Sequence, residues 1–415
     1  MWKLIKNELL KLSRKNKLYI IIGFLVLITL AQCYVLYEEI TNERPEKVVK
    51  ECERYIENLK SMTVIKTGGS DETGDNSFMV TDRQGNAVKV DNAIENAEKE
   101  LERARRKLEN MTKDWKVNVR DELTYLDTQK EKYRTEGNDG KLEAVTTQIN
   151  MLNYYLDRDM KPDEDYIMKS TVIIDIITFI SSYFLAIIVM MLTVESIAGE
   201  NVPGTIKLLL AKPISRGRIY LSKFLTSVIM SLGIVFMIEI AAYLIIGLIF
   251  GFGNMRAPVA IGPKYIPDPI QIARDGMGVM PALGSTILVP LWQKLALVLL
   301  LQGIFSVTIV SFGMFLSTIM KSGISAIVFG LLTTAILTII TLQIRDYGSI
   351  KVISTIMPFL FSTYSAGSFI LTGFLSNSVH STIISVPFAV SVMAVWAVIF
   401  FVPGYRIFVK RDVLA

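Results

Sequence analysis

The chain has 415 residues, 51% of them hydrophobic and 20% charged, with a mean hydropathy of +0.42 and a net charge of +5. A water-soluble chain of this size rarely averages so apolar. The apolar residues also gather into six runs, at about 18–37, 170–194, 223–252, 291–318, 323–342 and 381–404, each long enough to cross a hydrocarbon core. An ordinary soluble enzyme is excluded, and no nucleic acid partner is expected.

Residues 1–17 place Trp2, Ile5, Leu9 and Leu12 on one helical stripe with lysines opposite. This predicts an interfacial helix lying in the headgroup plane, the alternative being a disordered basic leader. The first span follows, closing a segment at 1–37. It is too long, and lacks the small-residue cleavage site, for a removable signal peptide. Basic residues cluster in 1–17, in the 195–222 loop and in the tail "YRIFVKRDVLA". The positive-inside rule puts all three in the cytoplasm, and six spans bring both termini there. Residues 38–168 then lie outside, with about 30 acidic residues against about 22 basic ones. A long domain of that sign still translocates.

Within 38–168, "TGGSDETGDNSFMVTDRQGNAVKV" reads as loop with one hairpin through "RQGNAV". Ile94, Ala97, Leu101, Ala104, Leu108, Met111 and Trp115 then alternate at 3-4 spacing, as a coiled-coil seam does. Leu142, Val145, Ile149, Leu152 and Leu156 repeat it after "TEGNDG". The spacing predicts one antiparallel helical hairpin. Val48, Cys52, Tyr55 and Leu59 mark a third, shorter helix. Cys33 lies in the first span and Cys52 in the stalk, so two free thiols are expected rather than a disulfide. The single histidine, His380, has no partner at ligand spacing, and no metal site is expected.

Residues 169–415 hold the other five spans. The stretch 251–290 has five prolines before Pro290 and many glycines, and is expected as an outer loop. "MKSG" makes a tight inner turn, and residues 343–380 are expected to include short helices that dip partway into the outer leaflet. Glu239 sits near the middle of the third span. A carboxylate there is expensive and normally faces the bundle interior. It is either a substrate or proton site or a buried structural group. Gln302 in the fourth span is a candidate polar contact across a dimer. Glu239 and Gln302 together are the candidate translocation-path residues, while Asp175 and Glu195 read as interfacial.

No catalytic set appears. The nearest nucleotide-loop candidate, "GSDETGDNS", puts Asp75 where a lysine must meet phosphate. No HExxH, GxSxG or Ser-His-Asp set is present, so the chain is expected to be non-catalytic and to bind no cofactor itself.

The stretch "ENVPGTIKLLLAKPISRGRIYLSKF" is different. Pro203 and Pro213 bound about two helical turns at 203–216, basic yet carrying Leu208, Leu209 and Leu210 in a row. Such a helix needs a cleft to occupy, the alternative being adhesion to headgroups. Glu200, Gly204, Thr205, Leu208, Leu209, Pro213, Ser215, Arg216 and Lys223 together resemble the coupling-helix segment of ATP-binding-cassette type-2 permeases. The closing "GYRIFVKRDVLA", the amphipathic first helix and the broken segment before span six are similar to that family as well. The resemblance covers the membrane part, about two thirds of the chain. The fold expected is an all-α polytopic membrane protein with six transmembrane helices, an N-terminal interfacial helix and a large extracellular helical domain between spans one and two.

The resemblance implies an exporter permease that moves a drug, antimicrobial peptide, lipid or ion outward. A separate ATPase dimer would bind ATP and Mg. The permease would work in the plasma membrane beside a second copy or a sister permease. Leu208–Leu210 would fill a cleft on the ATPase, and Lys207, Lys212, Arg216 and Arg218 would pair with acids at its rim. One alternative is an antimicrobial-peptide sensing or immunity module of the same fold, whose outer domain captures a ligand. The other, a polytopic membrane enzyme, is disfavoured by the missing polar constellation.

Overall fold

The computed structural model describes residues 1–14, 16–42, 44–67, 79–81, 87–162, 171–201, 215–347 and 355–410. Five helices are long and apolar enough to cross a membrane: α2 (Asn16–Asn42), α10 (Arg216–Phe250), α12 (Leu291–Ile319), α13 (Gly323–Tyr347) and α16 (Val386–Lys410). One further apolar run is a bent pair of helices. Helices α7 (Val172–Tyr183) and α8 (Leu185–Thr193), the latter continuing through α9 (Glu195–Asn201), meet at a 56° bend. The described residues thus hold five such helices, or up to six if the bent pair makes one crossing, and the second run is not the single helix expected. The bend follows the Ser181–Ser182 pair, a common kink site, and Phe184 wedges against Phe24 and Phe179 there.

Helix α1 (Trp2–Ser13) packs on the start of α10, burying Ile5, while Trp2 points away. Between the first two spans stand four helices: α3 (Pro45–Thr67), α4 (Val90–Thr112), α5 (Trp115–Thr135) and α6 (Asp139–Asp157). Strands β1 (Met79–Thr81) and β2 (Ala87–Lys89) pair antiparallel, as the "RQGNAV" pattern predicts.

The helices form two hairpins, not one. α4 packs on α3, setting Ala93, Ala97 and Ala104 beside Cys52, Ile56 and Leu59, and α5 packs on α6 around Leu126, Val145 and Ile149. The 142–156 seam therefore meets α5 rather than the 94–111 seam. The apolar spacing runs on through Trp115, but Asp114 interrupts the helix. Its side chain accepts the Lys116 N–H and caps a new one.

The stretch 251–290 is built rather than loose. β3 (Pro258–Ile261) pairs with β6 (Ile287–Pro290), and β4 (Tyr265–Pro267) with β5 (Val279–Pro281). Prolines stand at strand ends, where a missing N–H costs no ladder bond. Pro269 opens the short helix α11 (Pro269–Asp275), capped by Asp268. Helix α6 lies on these ribbons. Glu143, buried, accepts from Gly284 N at 2.7 Å and Thr286 N at 3.0 Å. After α13 the chain breaks into two 3₁₀ turns, then α14 (Gly367–Leu371) and α15 (Phe374–Ser378), before α16. That matches the expected run of short helices.

Candidate functional site

Two places in the membrane part gather the residues that the sequence singles out. The first is the end of the bundle where the chain enters and leaves 202–214. Gly204, Thr205, Lys207, Leu208, Leu209, Leu210, Lys212 and Pro213 lie outside the described residues. Their two attachments are described. On the entering side, Glu200 belongs to α9. The N–H groups of Ile197 and Ala198 both donate to Ser317 Oγ of α12, each at 3.0 Å.

Glycines let the same segment approach its neighbours closely. A Cβ at Gly323 would stand 3.1 Å from Gly199 Cα, and one at Gly330 would stand 3.0 Å from Val194 Cγ2. One at Gly313 would stand 3.1 Å from Thr193 Cβ. Lys17, opening α2, pairs with Glu195 and also donates to Met191 O at 3.3 Å.

On the leaving side, Ser215 precedes α10. Arg216 donates to Val409 O at 3.2 Å, so this arginine is engaged with the end of α16, whereas Arg218 is exposed. Lys223 meets Glu8 of α1 at 3.1 Å. Tyr220, fully buried, sits among Phe401, Tyr405 and Phe408, with its hydroxyl over Gly404. The bases of α1, α2, α9, α10 and α16 thus converge at one end, and the ribbons and α6 lie at the other.

The second place is the interior of the bundle. Glu239, on α10, has 2% of its surface exposed. Gln302 of α12 donates from Nε2 to Glu239 Oε1 at 2.6 Å and to Ser181 Oγ at 3.1 Å. Gln302 is therefore hydrogen-bonded within the chain, to both α10 and α7. Its amide turns inward because the alternative is a bare carboxylate in a dry interior. Glu239 Oε2, Gln302 Oε1 and the hydroxyls of Ser182, Thr226, Ser227 and Ser231 are buried with no hydrogen-bond partner among the described residues. Two small cavities of about 10 Å³ share Ser182 in their walls, room for a water molecule and nothing larger.

Among the described residues, the arrangement brings together, inside the bundle, hydroxyls, one amide and one carboxyl rather than a nucleophile and a base. Among the described residues no group of acidic, histidine or cysteine side chains could hold a metal. Its chemistry is that of a packed membrane bundle with one polar knot inside and a clamped joint at one end. Sequence reasoning missed Ser181, Ser317 and Glu143. Hydroxyls inside apolar runs were the available signal for the two serines.

Residues 2–413 match the family described as ABC-2 family transporter protein. The chain belongs to that family. Comparison with curated proteins gives no match. An ABC-2 member is the membrane permease component of an ATP-binding-cassette transporter and works with an ATPase partner. The apolar helices of this chain are those of such a multi-pass permease.

Proposed function

We propose that this ABC-2 permease is an exporter subunit, driven by a separate ATPase dimer that binds ATP and Mg and grips the 203–216 segment. In this reading the end carrying both termini is cytoplasmic and the four-helix domain is extracellular. A second copy or a sister permease completes the path, and Glu239 and Gln302 stand on it. The observation that carries the reading is the joint. The helices that flank 202–214 in the chain, α9 and α10, are each locked to other helices of the bundle, through Ser317 and close glycines on one side and through Glu8, Val409 and Tyr220 on the other. A push there reaches every span base at once.

The test is co-purification with the ATPase subunit, followed by ATPase rate and transport in lipid. Leu209→Asp, a charge forced into an apolar cleft, should weaken assembly or uncouple hydrolysis. Arg218→Glu should do so more weakly, as a change at a solvated rim. Arg216→Glu is a poorer probe, because it also breaks the bond to Val409. Wild-type assembly and coupling in both Leu209→Asp and Arg218→Glu would end the reading.

One observation favours a second reading, a sensing or immunity module. Glu143 ties α6 to the turn before β6, and β6 runs directly into α12. A ligand held by the stalk would then act on the spans without crossing them. Transport of labelled candidate drugs or peptides by the reconstituted complex favours export. Ligand-dependent ATPase activity without transport favours sensing.

A further inference from the structure

Glu239 is a carboxyl group inside the bundle with one bond to a neutral amide and no cationic partner among the described residues. Helix α10 packs against six helices. Their titratable groups stand elsewhere. On α12 the only charge is Lys294, eight residues from Gln302, or ~12 Å along the helix. On α7 it is Asp175, six residues from Ser181, or ~9 Å, and Asp175 acts electrostatically on Lys294. Helix α1 offers Glu8, engaged with Lys223, beside lysines at its exposed face. Helix α2 carries Lys17, Glu38 and Glu39 towards its ends, and between them Cys33 and tyrosines. Helix α16 bears Arg406 and Lys410 in its last turns, with Tyr405 beside them, and α8 has no titratable group. On α10 itself Arg216, Arg218 and Lys223 are at the base, with Tyr220 below and Tyr243 one turn above.

A bare carboxylate in that setting is costly, whereas the neutral acid fits the bonds that are present. Oε1 acts as the carbonyl oxygen that accepts from Gln302, and Oε2 is free to carry hydrogen. A line of buried groups leads to it. Lys223, Ser227, Ser231, Val235 and Glu239 follow the four-residue ridge of α10, each next to the last on the helix surface, and all are buried. The ridge winds round the helix from Glu8 at the base to Gln302 inside. Its serine hydroxyls have no partner among the described residues, which is the condition in which buried hydroxyls take water.

We propose that Glu239 is a proton-binding site. Oε2 gains an O–H bond from a hydronium ion arriving from the Lys223 end past Ser227 and Ser231, and gives the proton back to water when α10 shifts against α7 and α12. The site deepens the permease reading and rests on it only for the cycle that moves α10.

Infrared spectroscopy of the full chain in lipid, in H₂O and D₂O, reads the site without any ATPase. Wild type should show a protonated-carboxyl C=O band that moves on transfer to D₂O. Glu239→Gln, which keeps the shape and the neutral bond, should lose that band. Gln302→Leu should keep it but move it to higher frequency, because the hydrogen bond to the carbonyl oxygen is gone. Ser231→Val should slow the D₂O shift severalfold. Superimposable spectra for wild type and Glu239→Gln, or a band that never responds to D₂O, would overturn the site. An unchanged exchange rate in Ser231→Val would overturn the route. In the reconstituted complex, Glu239→Gln should flatten the pH dependence of transport, and an unaltered pH profile means the acid is only structural. A wild-type chain that neither co-purifies with the ATPase subunit nor supports transport, with the infrared result intact, would instead count against the permease reading.

Discussion

Lys223 Nζ lies 3.1 Å from Glu8 Oε2, and 2% of the lysine side chain is exposed. This ion pair ties the first helix of the chain to the base of the third span. Removing the glutamate takes a charged partner from a buried ammonium, which costs about 3 kcal/mol at the low end of the usual range, fitting for a glutamate at the rim. Glu8→Ala should therefore lower the thermal midpoint in detergent, followed by circular dichroism. The paired change Glu8→Leu with Lys223→Met should recover most of the loss, since an apolar replacement of a buried pair is often neutral. A silent Glu8→Ala would mean that the ion pair does not hold α1 in place.

Gln302 supports two groups with one amide nitrogen. Gln302→Leu keeps the bulk and removes the only donor to Glu239 among the described residues, leaving a buried acceptor unsatisfied at a cost of ~1–3 kcal/mol. Ser181→Ala removes one neutral bond and should cost about 1 kcal/mol. Denaturant unfolding in mixed micelles should rank the two in that order. The reverse order would show that the amide holds Ser181 rather than the carboxyl.

Glu143 is the only buried acid of the four-helix domain among the described residues, and both its oxygens accept backbone N–H groups of the 284–286 turn. Bonds to a charged acceptor contribute ~1.5–3 kcal/mol each. Glu143→Ala should speed hydrogen exchange at Gly284 and Thr286 by at least about tenfold, a factor worth ~1.4 kcal/mol. Exchange in α12 beyond its first turn should be unchanged. Wild-type protection at the turn would mean that α6 rests on the ribbons without being latched.

At Gly404 a Cβ would stand 2.6 Å from Tyr220 Oη and 3.3 Å from Phe315 Cα. Gly404→Ala overpacks this joint and should destabilise it by ~1–3 kcal/mol. Tyr220→Phe removes the hydroxyl, which has no partner among the described residues, and should be close to neutral. The double variant should regain part of the loss, an interaction that a double-mutant cycle in detergent measures. Strict additivity would place the clash at Phe315 instead.

The sequence reading found the elements better than their partners. Apolar length identifies a span, so six runs were legible, but hydropathy carries no direction and cannot show the bend at Phe184. Seam spacing located the helices around Ala97 and Ile149. It could not say which seam faces which, because a side-chain cap at Asp114 breaks the helix without breaking the apolar rhythm. Glu239 and Gln302 stood out as expensive residues in apolar runs. Their bond joins positions 63 apart in sequence, and only the packing of α10 on α12 creates it. The ribbons at 258–290 hid behind their prolines, which read as loop signals and turned out to end strands.

The bend in the second span also divides the bundle mechanically. Below Phe184 the chain is stiff. Glycine contacts at Gly313, Gly323 and Gly330 leave no slack between residues 190–199 and the two neighbouring helices, and Ser317 fixes the backbone directly. A displacement applied at residue 201 is not absorbed by that short helix. It passes to α12 and α13 as a block, and the compliance of the span is left at the bend, beside the serine that touches Gln302.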